Sequence, residues 1–487
     1  MGAALSFYLF PVITANNDWV FGFIIFIFSA VTAISFLRVL VSSPFKAAPV
    51  ILKFNLFLIA GIAGLCFGFS ARASMPDTYI PLARDRVTGL TGILSDDPRA
   101  FNDGRGMGSL GLIQATGAGG VRTTAKGRIT VFFPAESIPR IKEFGRGCEI
   151  YVEGNLISGE RGLVFRAGQV HILKPAPALE QFRTGLRTGA LERFGIAEDS
   201  LTRPLWSGLA SAMLLGIRDD LDADLASSFR RAGSSHVLSL SGMHLAILSG
   251  VIIFLLRLIF GIRGSSLMGA VFVVVYIFLA GSQASLVRAG IMSLLGTLAL
   301  LGHLKKNPLS ILALAFLIQL LIQAESGASV SFILSYLALA GILVTGETIR
   351  EILRGKLPDI ILLGFSASAG AFIATAGAVV YYFGDLYPMG LIAGFAIMPL
   401  SALFLIMAFV SLVLISVIPV LFAPLNFLLT QVFRVLEFFV ASAGRVPGIH
   451  TSSFIPVALV SVLVAALLEI IKHRERQRRR SIASFDT

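Results

Sequence analysis

The sequence predicts a polytopic α-helical membrane protein of about eleven spans with a small extracytoplasmic β-barrel inserted near its start, on three observations. Hydrophobic residues make up 55% of the 487 residues and charged residues only 14%, against about 25% charged in an ordinary soluble protein. Apolar runs long enough to cross a hydrocarbon core of roughly 30 Å recur along the chain. Between Ser74 and Pro177 that character gives way to charged, glycine-rich sequence with short alternating segments. The formal net charge of +12 fits nucleic acid, anionic lipid, or the cytoplasmic Lys/Arg excess of any multi-span protein. Cys66 lies in an apolar run and Cys148 in polar sequence, so neither a disulfide nor a metal site is expected, and no cofactor.

Residues 1–73 read as an N-terminal membrane anchor, with spans at 20–40 and 48–70 and a shorter apolar segment over Met1–Ala15. The start has no basic stretch or small-residue cleavage site, so this anchor reads as retained. Residues 74–177 read as the β domain. Alternation over Val87–Leu94, Gly127–Phe133, Cys148–Leu156 and Leu163–Leu173, with turns at Asn102-Asp-Gly104 and Ser158-Gly159, predicts about five strands, a number that suits an OB-like Greek-key barrel. A β-sandwich is the alternative. Residues 178–200 form an amphipathic linker, because Arg183, Arg187 and Arg193 recur at helical spacing with Leu179, Phe182, Leu186 and Leu191 between them, as in a helix lying on a membrane surface.

Residues 201–472 form the membrane core. Two partial helices at 201–215 and 221–231, the second started by Asp219 and Asp220 at its positive end, precede nine spans. These are expected at 233–260, 265–281, 285–302, 308–323, 328–345, 359–383, 386–417, 425–442 and 454–472. A basic tail, 473–487, ends the chain. Lys and Arg fall on alternate turns: Arg257/Arg263, Lys305/Lys306, Arg350/Arg354/Lys356 and Arg474 to Arg480 come out cytoplasmic, with the C-terminus. The turns at 281–284, 325–328, 384–388 and 448–453 carry almost no positive charge, which puts the β domain outside in the cell (cytoplasmic/inner) membrane.

Polar groups inside an apolar core are expensive unless they face a bundle interior or a water-filled path. On a continuous helix from 233, Ser234, Ser241 and His244 share one face, with His236 about 80° round from His244. Gly242, Ser249 and Gly250 would let another helix approach closely. Arg288, a permanent charge within a span, reads as a cation facing a translocated anion, as a residue that snorkels to the outer interface, or as one paired with a carboxylate such as Glu325 or Asp385. Ser241 and His244 also have the makings of a serine–histidine pair, though no third group or oxyanion hole is visible. No His/Asp cluster has metal-hydrolase spacing, and no G-x-x-x-x-G-K-[ST] loop is present. In the β domain Arg122, Lys126, Arg128, Arg146 and Arg166 supply cations, and Phe132, Phe133, Tyr151 and Phe165 are candidate stacking faces for a single strand.

Several of these segments occur in an order that resembles one family. Leu214-Leu-Gly, Phe229-Arg-Arg-Ala-Gly with Ser-His236 and Leu-Ser-Gly-Met-His244, Ser285-Leu-Val-Arg288-Ala, Ser331-Phe-Ile-Leu-Ser335-Tyr, Tyr381-Tyr-Phe-Gly384 and Ile397-Met-Pro-Leu400 look like the ComEC family of competence proteins over 201–472. The two-span anchor followed by an outside domain is similar to that family's N-terminal module. The resemblance implies a non-enzymatic inner-membrane channel passing single-stranded DNA into the cytoplasm during natural transformation. Its partners would be an external DNA receptor, a cytosolic ATPase or helicase and strand-binding proteins. Ser241, His244, His236, Arg288 and Ser335 would then line the path. The chain departs from the family pattern at Ile333 and Gly394, where Gln and Asn are frequent. It also stops before the β-lactamase-like domain of many members, so a separate nuclease is expected. The rival readings are a small-molecule or ion transporter and an intramembrane serine protease using Ser241 and His244.

Overall fold

The computed structural model describes residues 78–483 except 102, 160–161, 196–202, 305–306, 324–325, 328 and 452. The anchor expected over 1–73, with its two spans, lies outside the described residues, as does Glu325. In the β domain, alternation puts Ile129, Val131 and Phe133 inward and Arg128, Thr130 and Phe132 outward. Five strands so patterned close a ring in the order β1 (Val87–Leu94), β3 (Gly106–Gly117), β5 (Arg128–Phe133), β7 (Gly162–Lys174), β6 (Glu149–Gly159) and back to β1. β5 and β7 run parallel, and every other contact in the ring is antiparallel. A bulge at Thr91/Gly92 bends β1 so that it can pair on both sides. The short β2 (Arg99–Ala100) and β4 (Arg122–Thr124) pair with β3, and α1 (Ile138–Phe144) lies between β5 and β6. Leu90, Leu94, Leu110, Val131, Ile150 and Phe165 fill the barrel. Cys148 is buried there too, and burial pushes its thiol up to about 11, keeping it protonated and unreactive.

The linker is helical, as α2 (Ala178–Arg193). Arg183 and Arg187 turn inward, whereas Arg193 stays exposed and the apolar side chains of the first turns face outward. Arg183 is fully buried, while Leu179, Phe182 and Leu186 are exposed. Next come α3 (Ser207–Leu215), buried along its whole length, and α4 (Ala223–Arg231). The cap of α4 is Asp222, whose Oδ1 accepts from the Leu225 N–H at 2.7 Å. Asp219 and Asp220, expected to start this helix, are engaged elsewhere: Asp219 pairs with Lys142 at 2.6 Å and Asp220 with Arg203 at 2.6 Å.

The core continues with α5 (Gly242–Ala280), α6 (Ala284–Leu301), α7 (Pro308–Ile322) and α8 (Val330–Gly341), the last passing through a π-helical turn, Ile342–Gly346, into α9 (Glu347–Leu353). It ends with α10 (Asp359–Phe383), α11 (Met389–Val417), α12 (Phe422–Ala443) and α13 (Ile455–Ala483). Among the described residues seven helical stretches are long and apolar enough to cross a membrane, and Pro308–Ile322 is apolar but shorter. The 39-residue α5 breaks at Gly261, whose φ of 65° suits only a residue without a Cβ. Its two legs, each about 28 Å long, lie side by side, since a Cβ on Gly269 would stand 2.4 Å from Ile253 Cγ1. Leu258, Ile259, Leu321, Ile360 and Phe427 are exposed, as an apolar belt in contact with lipid requires. The chain is a multi-pass membrane protein.

One helical expectation is overturned. Residues 233–241 do not belong to α5: Gly233 adopts a φ of 69°, a 3-10 turn occupies Ser235–Val237, and α5 starts only at Gly242. The turn is pinned by a backbone contact, because a Cβ on Gly233 would stand 2.8 Å from both Tyr387 O and Gly390 Cα. Ser234 and His236 therefore share no helical face with His244.

The turns sort onto two ends of the bundle. At one end Arg263 meets His303 at 2.9 Å and Lys472 meets Glu351 at 3.0 Å. At the other, β8 (Asp385–Leu386) pairs with β9 (Ile449–His450), with Asp385 and His450 2.8 Å apart. The barrel joins this second end. Arg183 Nη1 and Nη2 donate to Asp97, in the β1–β2 loop, at 3.0 and 2.6 Å, and its Nε donates to Phe278 O at 2.7 Å at the end of α5. Arg187 adds bonds to Leu279 O at 3.1 Å and Ala280 O at 3.2 Å. Apolar packing divides the helices into one cluster built on α3, α4, α5, α11 and α12 and another built on α7, α8 and the start of α6. α6 contributes to both, through Leu286 to the first and Ala284 to the second.

Candidate functional site

The polar motif residues meet where α6 lies between the two clusters. Ser241 caps α5 in a capping box with His244. The His244 Nδ1 accepts from the Ser241 main-chain N–H at 3.3 Å. That fixes the tautomer, because a ring nitrogen that accepts carries no proton and the other nitrogen must. The Nε2–H so defined is buried without a hydrogen-bond partner, and His244 is 0% exposed. Ser241 and His244 thus meet as a helix cap, with the ring nitrogen taken up by main chain rather than by the serine hydroxyl.

The Ser285-Leu-Val-Arg288 segment ties this cap to the second cluster. Ser285 Oγ donates to Leu240 O at 2.9 Å, just ahead of the cap. Gln319 on α7 donates to Ala284 O at 2.8 Å and accepts from Tyr336 Oη at 2.9 Å. Arg288 donates through Nη1 to the carbonyl of Ser335 and lies over the Tyr336 ring, 5.7 Å from its centroid. Its Nη2 packs on the first residue of α5, 2.9 Å from where a Cβ on Gly242 would stand, and its Nε is buried without a partner.

The locus is rich in donors and short of acceptors. Arg288 is 8% exposed, and among the described residues no carboxylate is paired with it. Asp385, one of its two expected partners, pairs with His450. The N-terminus of α5 adds roughly half a positive charge beside the guanidinium. Carbonyl dipoles and an aromatic face, worth about 0.5 to 2 kcal/mol, orient the cation without neutralising it. Such an arrangement favours an anion brought into contact with it.

Of the expected lining residues, Ser241, His244, Arg288 and Ser335 converge, Ser335 through its carbonyl rather than its hydroxyl. His236 is exposed in the turn ahead of the cap, outside the hydrogen-bonded network but near enough to His244 for the two rings to interact electrostatically. On the barrel, Arg128 and Phe132 on β5 and Arg166 on β7 share the outer surface, with Phe132 directly opposite Arg166. Arg122 and Lys126 are exposed along and beyond β4. Tyr151 stacks on His171 at 6.2 Å, farther along β6. Arg146 instead pairs with Glu180 at 2.5 Å, where barrel meets linker. Phe133 and Phe165 are core residues, because the strand alternation that exposes Phe132 turns them inward. The sequence reading missed Phe101, 42% exposed and stacked on Phe132 at 6.5 Å, along with Gln319 and Tyr336. Only Tyr336 carried a signal, as the neighbour of Ser335 in a quoted motif. Among the described residues no group of three His, Cys, Asp or Glu could hold a metal.

The sequence model of one family, described as Competence protein, matches residues 213–476, more than half of the chain. The chain belongs to the Competence protein family. ComE operon protein 3 of Bacillus subtilis (strain 168) is 24% identical over 178 residues, covering 36% of this chain and 22% of that relative. The chain thus matches about a fifth of that relative's length. In this competence protein the matched residues take in the whole network from Leu240 to Tyr336, and the barrel and linker lie outside them. The resemblance to ComEC proteins read from the motifs is borne out. Three of the motifs that carried it, Leu-Ser-Gly-Met-His244, Ser285-Leu-Val-Arg288 and Ser331 to Tyr336, are distant in sequence and meet around Arg288.

Proposed function

We propose that this competence protein is an inner-membrane channel that passes single-stranded DNA into the cytoplasm during natural transformation, with the strand moving along the seam between the two helix clusters. The observation that carries the reading is Arg288, a buried cation at a helix N-terminus with no carboxylate paired to it among the described residues. Phosphodiesters supply the missing acceptors. Ser241, His244 and Ser335 hold the site in shape, and Arg288 meets the phosphates. The Ser241 cap gives no support to a protease reading. Cations inside the core are sparse, which suits transport, because a strand gripped at every phosphate would not move on.

On this reading the barrel is an extracytoplasmic OB-type module. Its strand order, its parallel β5–β7 pair and the helix between β5 and β6 support that assignment. So does the Phe101–Phe132 pair beside the β1–β3 loop, since OB barrels bind oligonucleotides on that strand face and loop. Arg122, Lys126, Arg128 and Arg166 supply phosphate contacts, with Tyr151 as a further stacking surface. The two anchor spans and the nine helical segments of the core together make eleven spans, with the C-terminus cytoplasmic. An external DNA receptor would deliver the strand, a cytosolic ATPase or helicase and strand-binding proteins would draw it in, and a separate nuclease would remove its complement.

The test is the transformation frequency of a deletion strain complemented with intact protein, Arg288→Met or Arg288→Lys, with membrane level and surface DNA binding measured in each. The reading expects Arg288→Met to bind DNA outside and give no transformants, with partial recovery in Arg288→Lys. Unchanged transformation on deletion, in a competent host, would sink it.

A further inference from the structure

Three exposed arginines, Arg230, Arg231 and Arg445, gather at the barrel-bearing end of the bundle. Arg230 and Arg231 form the last turn of α4, and Arg445 follows the end of α12. The two helix ends touch, since a Cβ on Gly444 would stand 3.2 Å from Ser228 O and 3.5 Å from Arg231 Cβ. Among the described residues none of the three makes an ion pair. The nearby Asp385 is taken by His450 at 2.8 Å. Each helix C-terminus carries roughly half a negative charge, so the two ends offset about one of the three positive charges and the surplus faces solvent.

The position of the cluster selects its ligand. The loop ahead of α4 is docked to the barrel, where Asp219 pairs with Lys142 and accepts from the Ala100 N–H at 3.0 Å. The nine residues of α4 place the arginines about 13 Å farther on. The Gly233 turn that follows leads into the Ser241 cap and the Arg288 locus. The cluster therefore lies on the stretch of chain that leads from the barrel contact to the buried site, and guanidinium forks match phosphate oxygens two at a time. We propose that Arg230, Arg231 and Arg445 form a second binding site for the phosphodiester backbone of a single nucleic-acid strand, at the mouth of the core. The proposal rests on the DNA-uptake reading.

The test is binding of a 20-nucleotide oligothymidylate to the full chain in discs of zwitterionic lipid over a range of salt, for intact protein and for a triple variant, Arg230→Gln, Arg231→Gln and Arg445→Gln. Each lost phosphate contact lowers the slope of log affinity against log salt by about 0.7 for a single strand, so the triple variant is expected to lose about 2. The triple Arg→Lys variant keeps the slope, which separates lost charge from lost folding. A triple Gln variant with the intact slope overturns the proposal. The same follows if that variant loses only affinity for anionic-lipid vesicles, which would make the cluster a headgroup site. If the intact protein binds no oligonucleotide at all, the uptake reading falls together with the cluster. An intact slope in the variant alone removes only the cluster.

Discussion

Substituting Asp97 by Ala should loosen the barrel from the membrane core while leaving the barrel folded. Asp97 is the carboxylate that satisfies Arg183, a guanidinium with 0% of its side chain exposed, through bonds of 3.0 and 2.6 Å, and it stands 3.3 Å from Arg187. Breaking a buried pair from one side costs about 3 to 5 kcal/mol. Asp97 keeps 31% of its side-chain exposure, and Arg183 retains Glu180 at 3.4 Å and the Phe278 carbonyl. Screening and these remaining partners bring the expected cost to about 2 kcal/mol, a shift of roughly 30-fold between docked and undocked barrel. Amide hydrogen exchange in the full chain reads it: residues 95–100 and 278–286 should exchange faster, while strand amides around Leu90, Val131 and Ile150 keep their protection. A double-mutant cycle with Arg183→Met should return most of the 2 kcal/mol as coupling. Burial alone would raise the Asp97 pKa, but hydrogen bonds from Arg183 and the charges of Arg187, Arg183 and Arg146 outweigh it and hold the carboxyl below its usual value. A lowered pKa means that the contribution is complete above about pH 4, the unfolded-state value, and is lost as pH falls through the folded one. Docking should therefore be level from pH 8 to about pH 5 and fail only in stronger acid. Equal exchange in Asp97→Ala and intact protein, or undocking near neutral pH, would refute the reasoning.

Ser241→Ala should cost about 1 kcal/mol as a lost helix cap and leave transformation within severalfold of intact; abolished transformation at a normal membrane level would mean that the hydroxyl does more than cap α5. Phe132→Ala and Phe101→Ala should each weaken oligonucleotide binding by about 1 to 3 kcal/mol, measured by fluorescence anisotropy on the full chain. Phe133→Ala, one residue away but in the core, should destabilise the barrel by about 3 to 5 kcal/mol, so equal binding losses for Phe132 and Phe133 with no difference in stability would contradict the outer-face assignment. Gly341→Ala would place a Cβ 2.3 Å from Gly370 O, whereas Gly250→Ala meets nothing within 4 Å. Membrane accumulation should fall for the first and hold for the second, and equal levels of both would mean that the α8–α10 crossing is looser than the structure has it.

The elements that were legible in sequence are those whose signal is local. β1, β5, β6 and β7 alternate strongly enough to be read, and the nine apolar segments of the core each correspond to a helix or a helical leg. β3 was not legible, because Gly106-Met-Gly-Ser-Leu-Gly-Leu-Ile-Gln-Ala-Thr-Gly carries too many glycines to show a strand pattern, although it pairs with four other strands. The α5 start was misplaced because the contact that breaks the chain at Gly233 comes from Gly390, more than 150 residues away. The arginines of α2 read as a surface stripe, since nothing nearby announces Asp97 or the free carbonyls at the end of α5. Arg288 stood out by charge alone, but its surroundings are assembled from α5, α6 and α8 and have no sequence signature.

The contrast between Arg183 and Arg288 carries the functional logic of the chain. Both guanidiniums are buried and both donate to main-chain carbonyls. Arg183 is also closed by Asp97 and Glu180, so its charge is cancelled within about 3 Å and what it contributes is position. Arg288 is held by a carbonyl, a ring face and a helix end. These are dipoles, which fix direction, and among the described residues no carboxylate compensates the net charge, in a medium where it is felt strongly. A carboxylate at the same place would give a tighter core and a site with nothing left for a phosphate. The chain uses the closed form where barrel meets helix core and two parts must stay in register, and the open form at the seam between two helix clusters, where, on the proposed function, a charged strand would be met and then let go.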